Sequence, residues 1–471
     1  MNEQKDLLVQ ADSITVTERL ITGFSDLAWG TPLLILLLGG GLFFLLYSRM
    51  LPFRYFRHAI AILRGKYDDP DEPGQINHYQ ALSTALAATV GMGNITGVAL
   101  ALTMGGPGAI FWMWVSALLG VTTKYFTCTL AVMFRGRDSR GELQGGPMYV
   151  IVEGLGRNWK PLAIFFSLMG MIGVLPMFQV NQLTQVVRDV VLIPNHVAAG
   201  FSSDLISGLI VALLVGVVIF GGIKRIGKVT GRMVPLMVAL YVVLVLYIIF
   251  SNAGRIGPSF ALIFRDAFSA ESVLGGSLGA LVITGVRRAA FSNEAGIGTA
   301  PMAHGAAKTN EPVREGLVAM MGPVVDTIVV CTMTALALIM TGVWNAGESD
   351  GITMTADAFE LAMPGIGAYL LTICVAVFSL STMLSFPYYG TKCFSFIFGA
   401  KHSYIYKWFY LITIPLGATA TLGTVVGIFD GAYALMAFPT MISALLLSPH
   451  VIRASKDYFS RLKTQDSNGK N

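Results

Sequence analysis

Charged side chains are scarce in this sequence. They make up 13% of the 471 residues, whereas soluble globular proteins carry about 25%. Hydrophobic residues make up 54%, and they recur in long runs along the whole chain. This composition argues against a soluble globular protein and favours a polytopic membrane protein whose helices cross the bilayer many times.

Cysteine and histidine are also rare. The four cysteines lie in or beside apolar runs without CxxC spacing, which favours packing over metal binding. The six histidines fall in or at the ends of the connections, and His304 is predicted to be a loop histidine. A membrane-embedded enzyme is therefore only a remote alternative, because it needs clustered acid, base or nucleophilic groups. We expect no enzyme cofactor, no nucleic-acid partner and no cleaved signal peptide.

Eleven apolar runs are long enough to span a membrane as helices of about 20 residues. They cover residues 31–48, 81–104, 109–134, 162–187, 204–222, 231–251, 272–290, 316–343, 365–390, 406–425 and 431–449. The connections on one side hold 26 of the 32 Lys and Arg residues. Cytoplasmic loops are enriched in these residues, so the sequence predicts an external N-terminus and a cytoplasmic C-terminus.

The runs divide into a first helix and two halves of five helices. The predicted units are an extracytoplasmic segment 1–30, an extra helix with its connection 31–66, the halves 81–251 and 272–449, and a cytoplasmic tail 450–471. The halves begin on opposite sides of the membrane, and each opens with a glycine-interrupted helix, "GMGNITG" (91–97) and "GGSLG" (275–279). Such paired interruptions in inverted repeats indicate the binding site of a secondary transporter.

An interrupted helix exposes backbone N–H and C=O groups that lipid cannot satisfy. A helix N-terminus suits a carboxylate and free carbonyls suit an ammonium, so an amino-acid zwitterion fits this place. Gly275, Gly276 and Ser277 belong to the second interruption and are candidate substrate residues with it. Close helix packing remains an alternative for the first, because Gly93 and Gly97 also form a GxxxG pattern.

Ionisable residues within or beside the spans are further candidates, because charge is costly at membrane depth. Lys124 is predicted to form a structural ion pair or a helix-end contact. Asp326 is a candidate proton carrier, with acceptance of hydrogen bonds from neighbouring helices as the alternative. Glu294, Arg287 and Arg288 are predicted to form an inner gate or hinge held by Glu–Arg pairs.

Several long motifs resemble those of the alanine or glycine:cation symporter family, the bacterial sodium:alanine symporters. They are "GNITGVALAL" (93–102), "GGPGAIFWMWVSALLG" (105–120), "GGPMYVIVEGLG" (145–156), "FSNEAGIGTAPMAHGAAKTNEPVREGLVAM" (291–320) and "DTIVVCT" (326–332). The resemblance implies a LeuT-type fold, a five-plus-five inverted repeat with one extra N-terminal helix. It implies Na⁺-coupled uptake of small neutral amino acids across the bacterial inner membrane. H⁺ coupling is the alternative, and we expect a monomer to suffice.

The resemblance also implies roles for particular residues. The residues that would bind the substrate are Gly91, Gly93, Asn94 and Gln179. The residues that would bind Na⁺, through backbone carbonyls and hydroxyls, are Ala87, Ala88, Val90, Ser381 and Thr382. Neutral oxygens suit this small, hard cation.

Three positions depart from the pattern of the family. Ser277 stands where the family has an aromatic residue, which would enlarge the substrate pocket. Thr127 stands where the family tends to have an acid, and Pro387 stands where it has a bulky aromatic residue. These departures keep open a larger polar substrate such as serine or glutamine.

Overall fold

A computed structural model describes residues 23–269, 277–346 and 351–468 of the chain. In this part the chain is almost wholly helical. The two strands that it contains, β1 (Gly136–Arg137) and β2 (Leu143–Gln144), pair antiparallel in a short hairpin. We number the main helices in chain order: α1 (Thr31–Tyr47), α2 (Phe56–Leu63), α3 (His78–Thr89), α4 (Met92–Gly105), α5 (Gly108–Met133), α6 (Arg157–Leu192), α7 (Phe201–Ile219), α8 (Gly222–Ser251), α9 (Ile256–Ala267), α10 (Ser277–Asn293), α11 (Thr299–His304), α12 (Pro312–Thr341), α13 (Gly351–Ala362), α14 (Gly367–Phe398), α15 (Ser403–Thr419) and α16 (Leu422–Asn468).

Short and irregular turns interrupt or join these helices. The π-helical turns are Ile35–Gly39, Val150–Leu155, Val187–Leu192 and Val324–Cys331, of which all but the second lie within α1, α6 and α12. The remaining short elements are Leu51–Arg54, Pro147–Tyr149, Arg157–Trp159, Ala253–Arg255, Met321–Pro323, Val343–Asn345 and Ala400–His402. A π-turn is rare and often marks a functional position in a helix, and the one in α12 contains Asp326.

Eight helical stretches in the described part are long and apolar enough to cross a membrane. They are His78–Gly105, Gly108–Met133, Arg157–Leu192, Phe201–Ile219, Gly222–Ser251, Pro312–Thr341, Gly367–Phe398 and Phe429–Thr464. Helices α1, α10 and α15 lie at the three remaining predicted spans, and α10 and α15 have 17 residues each. The multi-pass helical architecture is confirmed, while the count of eleven spans stays a prediction.

Helices α3 and α4 form the centre of the molecule. In the most apolar 18-residue segment between His78 and Gly105, 94% of the residues are buried. The shares for the corresponding segments of α7 and α8 are 28% and 33%. The outer helices therefore expose apolar side chains in the way that lipid-facing helices do. The interruption between α3 and α4 is therefore buried inside the protein, away from lipid.

Two ends of the helical bundle recur below. The Trp29 end carries Trp29, the end of α4 at Gly105 and the beginning of α10. The His78 end carries His78 at the start of α3 and Arg135 after α5. By the distribution of Lys and Arg, the Trp29 end is predicted to face outward and the His78 end to face the cytoplasm.

The predicted cytoplasmic tail from residue 450 is helical as far as Asn468, and its placement in the cytoplasm stays a prediction. Helix α16 runs without interruption from Leu422 to Asn468, through Pro439 and Pro449. Its later part packs back onto the protein, because the ring of Phe459 stacks on Tyr55 at 3.6 Å between centroids. These contacts stabilise the helix beyond residue 449, where the predicted apolar run ends.

Candidate substrate and cation site

The first interruption lies at Val90 and Gly91. Helix α3 ends at Thr89, and Val90 and Gly91 leave the helical region with ψ angles of 95° and −143° before α4 begins at Met92. The Asn94 Oδ1 atom accepts a hydrogen bond of 2.8 Å from the backbone N–H of Gly91, which caps the new helix. The carbonyl end of one helix therefore faces the N–H end of the next, and these ends carry opposite partial charges.

Two hydroxyl groups of α14 converge on the carbonyl end of α3. The Ser381 hydroxyl lies 3.2 Å from the carbonyl oxygen of Ala87. The Thr382 hydroxyl lies 3.1 Å from the same oxygen and 3.4 Å from that of Ala88. The structure thus brings together four of the five residues predicted to bind Na⁺, and Val90 lies two residues after Ala88.

Gly91 is required by this packing. A Cβ atom at this position would lie 2.7 Å from the Thr382 hydroxyl oxygen, which is too close for a real contact. A side chain here would push the Thr382 hydroxyl away from the carbonyl oxygens of α3. The glycine is therefore needed for close approach of α14 and not only for a flexible backbone.

Asn94 joins the interruption to Asp326 of α12. Its Nδ2 atom donates to the Asp326 carboxylate at 2.8 Å and to the Asp326 carbonyl oxygen at 3.0 Å. The other carboxylate oxygen accepts from the hydroxyls of Ser292 at 2.7 Å and Thr327 at 2.8 Å. Asp326 is fully buried, and these bonds from neighbouring helices satisfy it. Its use as a proton carrier stays a prediction.

The predicted interruption at 275–279 lies only partly within the described residues. Gly275 and Gly276 lie outside them, and from Ser277 helix α10 runs unbroken through Gly279 to Asn293. The second interruption that the structure describes follows at residues 294–298, before the short helix α11. Glu294 has a φ angle of 57°, and Gly296 and Gly298 have φ angles of 86° and 110°. These left-handed conformations end the helix sharply, since side-chain-bearing residues seldom adopt them.

The two interruptions adjoin each other. A Cβ atom on Gly93 would lie 3.1 Å from the Cα atom of Ser292, in the last turn of α10. Ser277 begins the same helix 15 residues earlier, which is about 22 Å along a helix axis. Ser277 is therefore remote from the first interruption, and Ser292 is the α10 residue that reaches it. A substrate role for Ser277 stays a prediction.

Gln179 of α6 is buried, as its predicted role requires. Its Oε1 atom has no hydrogen-bond partner among residues 23–269, 277–346 and 351–468. The adjacent Phe178 packs edge-on against Phe291, with 5.4 Å between ring centroids, and Phe291 precedes Ser292. Phe429 lies 5.5 Å from Phe291, so aromatic rings close this side of the region. An unpartnered buried amide oxygen is available to a polar ligand.

The predicted Glu–Arg gate is wrong in its pairing and its location. Arg287 donates to Asp430 at 2.9 Å and to Asp26 at 3.1 Å, while Glu294 accepts from Thr299. The Arg288 guanidinium contacts the sulfur atom of Met104, near the end of α4. Both arginines therefore lie toward the Trp29 end and not at the cytoplasmic connection expected from the sequence. Helix α10 continues to Asn293, three residues beyond the end of the predicted run 272–290.

Lys124 is buried in the interior of the bundle. Its ammonium group is attracted electrostatically by Glu294 and Asp326. A Cβ atom on Gly322 would lie 3.0 Å from its Nζ atom, which shows how closely α12 approaches. Lys124 therefore lies between the two interruptions and near both carboxylates, and its structural ion pair stays a prediction.

A buried triad at the His78 end escapes prediction from the sequence. The Glu315 carboxylate bonds to His78 through one oxygen and to His304 through the other, at 2.6 Å for His304. His304 thus ends helix α11 inside the protein and is not a loop histidine. The triad fastens α11 and α12 to the first residue of α3. The sequence gives no signal of it, because a non-helical connection separates His304 from the helix that carries Glu315.

Arg135 holds the adjoining connection. Its guanidinium donates to carbonyl oxygens of Gly305 at 2.9 Å and Thr309 at 3.1 Å, and also to that of Ala307. Burial lowers the pKa of this guanidinium, and the nearby Glu315 carboxylate opposes that shift. The guanidinium of Arg135 therefore satisfies the carbonyl oxygens of the turn that follows α11 with charge-assisted hydrogen bonds.

Comparison with known proteins agrees with this arrangement. The model of the sodium:alanine symporter family matches residues 14–471. The sodium/alanine symporter AgcS of Methanococcus maripaludis is 40% identical over 95% of this chain and 99% of its own length. The "Probable sodium/glutamine symporter GlnT" of Bacillus subtilis is 33% identical over 95% and 92% of the two chains.

A solved structure shares the fold. The crystal structure of MhsT in complex with L-phenylalanine has a TM-score of 0.53 and 14% identity, over 81% of this chain and 98% of that one. The relatives are named as symporters and not as enzymes. With a family model that matches nearly its whole length, this chain belongs to the sodium:alanine symporter family.

Proposed function

We propose that the protein couples the inward movement of Na⁺ to uptake of a small neutral amino acid, by alternating access across the bacterial inner membrane. One observation carries this proposal. The interruption at Val90 and Gly91 sets carbonyl oxygens and the hydroxyls of Ser381 and Thr382 beside the N-terminus of α4. A cation and a carboxylate thus find complementary groups within one buried place.

The cation takes the oxygen side of the interruption. When Na⁺ binds, the hydroxyls of Ser381 and Thr382 turn their lone pairs to it, and the carbonyls of Ala87, Ala88 and Val90 complete its ligands. Because these ligands come from α3 and α14, binding favours the arrangement in which the two helices touch. Na⁺ therefore stabilises the backbone geometry at Gly91 that the amino acid uses, and this shared geometry couples the two.

The amino acid takes the α4 side. Its carboxylate lies at the N-terminal turn of α4, beside Gly91, Gly93 and Asn94, where it displaces the Asn94 Oδ1 atom from the Gly91 N–H. Gln179 offers its unpartnered oxygen to the ammonium group. The side chain has little room, since a Cβ on Gly93 would already meet the α10 backbone at 3.1 Å. This close approach favours alanine or glycine over a larger polar amino acid such as glutamine.

Asp326 keeps the role of candidate proton carrier within this proposal. Its carboxylate touches Asn94 directly, so its protonation would loosen the cap of α4. An H⁺ gradient that drives uptake in place of Na⁺ would identify Asp326 as the coupling site. Since both ligand sites lie in one chain, we expect a monomer to transport.

Uptake into proteoliposomes tests the proposal. We expect labelled alanine or glycine to accumulate under an imposed Na⁺ gradient, with serine and glutamine transported less well. Asn94→Ala removes the cap on Gly91 and the bond to Asp326, and we expect the KM for alanine to rise at least tenfold. The control is Asn195→Ala, at an exposed asparagine between α6 and α7. Failure to accumulate any of the four amino acids under Na⁺ or H⁺ gradients would contradict the proposal.

A further inference from the structure

A cavity of about 160 Å³ opens at the His78 end, away from the central interruption. Its walls come from Gln75 ahead of α3, the start of α8, the β1–β2 hairpin and the last part of α14. Pro387, which lines it, follows Thr382 by five residues on α14, or about 7.5 Å of helix. One wall of the cavity therefore belongs to the same helix as the proposed cation site, nearer the predicted cytoplasmic end.

Two hydroxyl groups in the wall lack partners. The Tyr388 Oη and Thr391 Oγ1 atoms are buried and make no hydrogen bond to any residue that the structure describes. A buried polar group without a partner costs about 1–3 kcal/mol. Such groups are rare in folded proteins and call for an occupant of the space beside them.

Two cationic side chains, Arg140 and Lys407, line the same wall. Arg140 is exposed, and the Lys407 ammonium group lies 5.8 Å from the centre of the Phe220 ring. Neither forms an ion pair within the described ranges, although Arg461 at the same end pairs with Glu311 at 2.7 Å. Like charges that face one cavity attract an anionic group, for which a carboxylate is the right size.

The wall also offers negative charge. The Asp138 and Glu142 carboxylates both line the cavity. Asp138 accepts a hydrogen bond of 3.1 Å from Gln144, whereas Glu142 accepts a long one of 3.5 Å from Gln75. An ammonium group would be a stronger partner than this neutral amide. Cations, an anion and free hydroxyls around one cavity fit a small zwitterion better than a simple anion.

We propose that this cavity is a second amino-acid site, at which the transported amino acid binds after it leaves the central site. Arg140 and Lys407 hold its carboxylate, Glu142 holds its ammonium group, and the hydroxyls of Tyr388 and Thr391 complete the contacts. The inference rests on the proposed function, because the ligand is the same amino acid. Amino acid that accumulates in the cytoplasm then fills this site and slows further release.

Counting bound alanine tests the second site. In phosphatidylcholine nanodiscs we expect two labelled alanine molecules per unaltered chain at saturation. Arg140→Gln combined with Lys407→Gln leaves one, while Lys401→Gln, an exposed charge at the same end that does not line the cavity, leaves two. One alanine per unaltered chain, or two in the double variant, overturns the proposal.

Two further measurements distinguish the second site from the central site and from a lipid site. Asn94→Ala disables the central site and leaves one alanine bound. A single site that Asn94→Ala abolishes overturns this inference alone, whereas absence of binding to the unaltered protein overturns the proposed function as well. If the double variant changes binding only when phosphatidylglycerol is added, the cavity holds a lipid headgroup and the proposal is overturned.

A thiol probe covers the case in which the double variant does not fold. Ser403 lines the cavity and is half-buried, and the four native cysteines are buried. In Ser403→Cys, we expect alanine to slow reaction with an anionic thiol reagent at least threefold, also in the Asn94→Ala background. An unchanged reaction rate in both backgrounds overturns the second site.

Discussion

Replacement of Thr382 by valine isolates the cation side of the proposed mechanism. The change keeps the shape of the side chain and removes the hydroxyl that lies 3.1 Å from the Ala87 carbonyl oxygen and 3.4 Å from that of Ala88. A hydrogen bond or similar contact to a charged group contributes about 1.5–3 kcal/mol. Since about 1.4 kcal/mol is a factor of ten, the Na⁺ concentration for half-maximal uptake should rise by about tenfold to a hundredfold.

The assay is the initial rate of alanine uptake into proteoliposomes as a function of external Na⁺. A matched control lies on the same helix: Thr372→Val removes a hydroxyl that bonds only to its own helix, at the Ala368 carbonyl oxygen. We expect this control to keep the Na⁺ dependence of the unaltered protein. A shift below twofold in Thr382→Val, or an equal shift in both variants, would refute the cation site.

Three other changes probe the regions around the site. Gly93→Ala adds a Cβ at 3.1 Å from the Ser292 Cα, so we expect at least tenfold slower uptake with little loss of Na⁺ affinity; an unchanged rate would show that α4 and α10 can separate freely. Arg287→Gln leaves the buried Asp430 carboxylate unpaired, which costs about 3–5 kcal/mol of stability. We expect a lower thermal midpoint of unfolding, which the added change Asp430→Asn largely restores. A midpoint that is not restored would argue against the pair. Glu315→Gln weakens the triad at the His78 end, and we expect faster hydrogen exchange in residues 78–89; unaltered exchange would show that other contacts hold α3.

The sequence predicts the first interruption because its signal is local. Glycines and Asn94 lie inside an apolar run, where they weaken a membrane helix. The second interruption is missed because α11 has only six residues, too few for a helical pattern. Its glycines at 296 and 298 stand beyond the apolar run, where a loop is the simpler interpretation.

Long-range pairs set the other limit. Glu315 meets His78 across 237 residues, and Arg287 meets Asp430 across 143. A single sequence holds no record of which distant residues touch, so the predicted Glu–Arg gate joins charges that are close only along the chain. The contact of Ser381 and Thr382 with Ala87 is predictable only through family resemblance, because hydroxyl groups in a helix carry no signal of their own.

The continuous helix from Leu422 to Asn468 has a practical consequence. Near its far end Tyr458 bonds to His58 at 2.8 Å and Arg461 pairs with Glu311, which fixes its direction relative to the body of the protein. A partner protein joined to it by an uninterrupted helical extension would therefore be held at a defined angle. Such a fusion would give this small membrane protein a fiducial for particle alignment in cryo-electron microscopy.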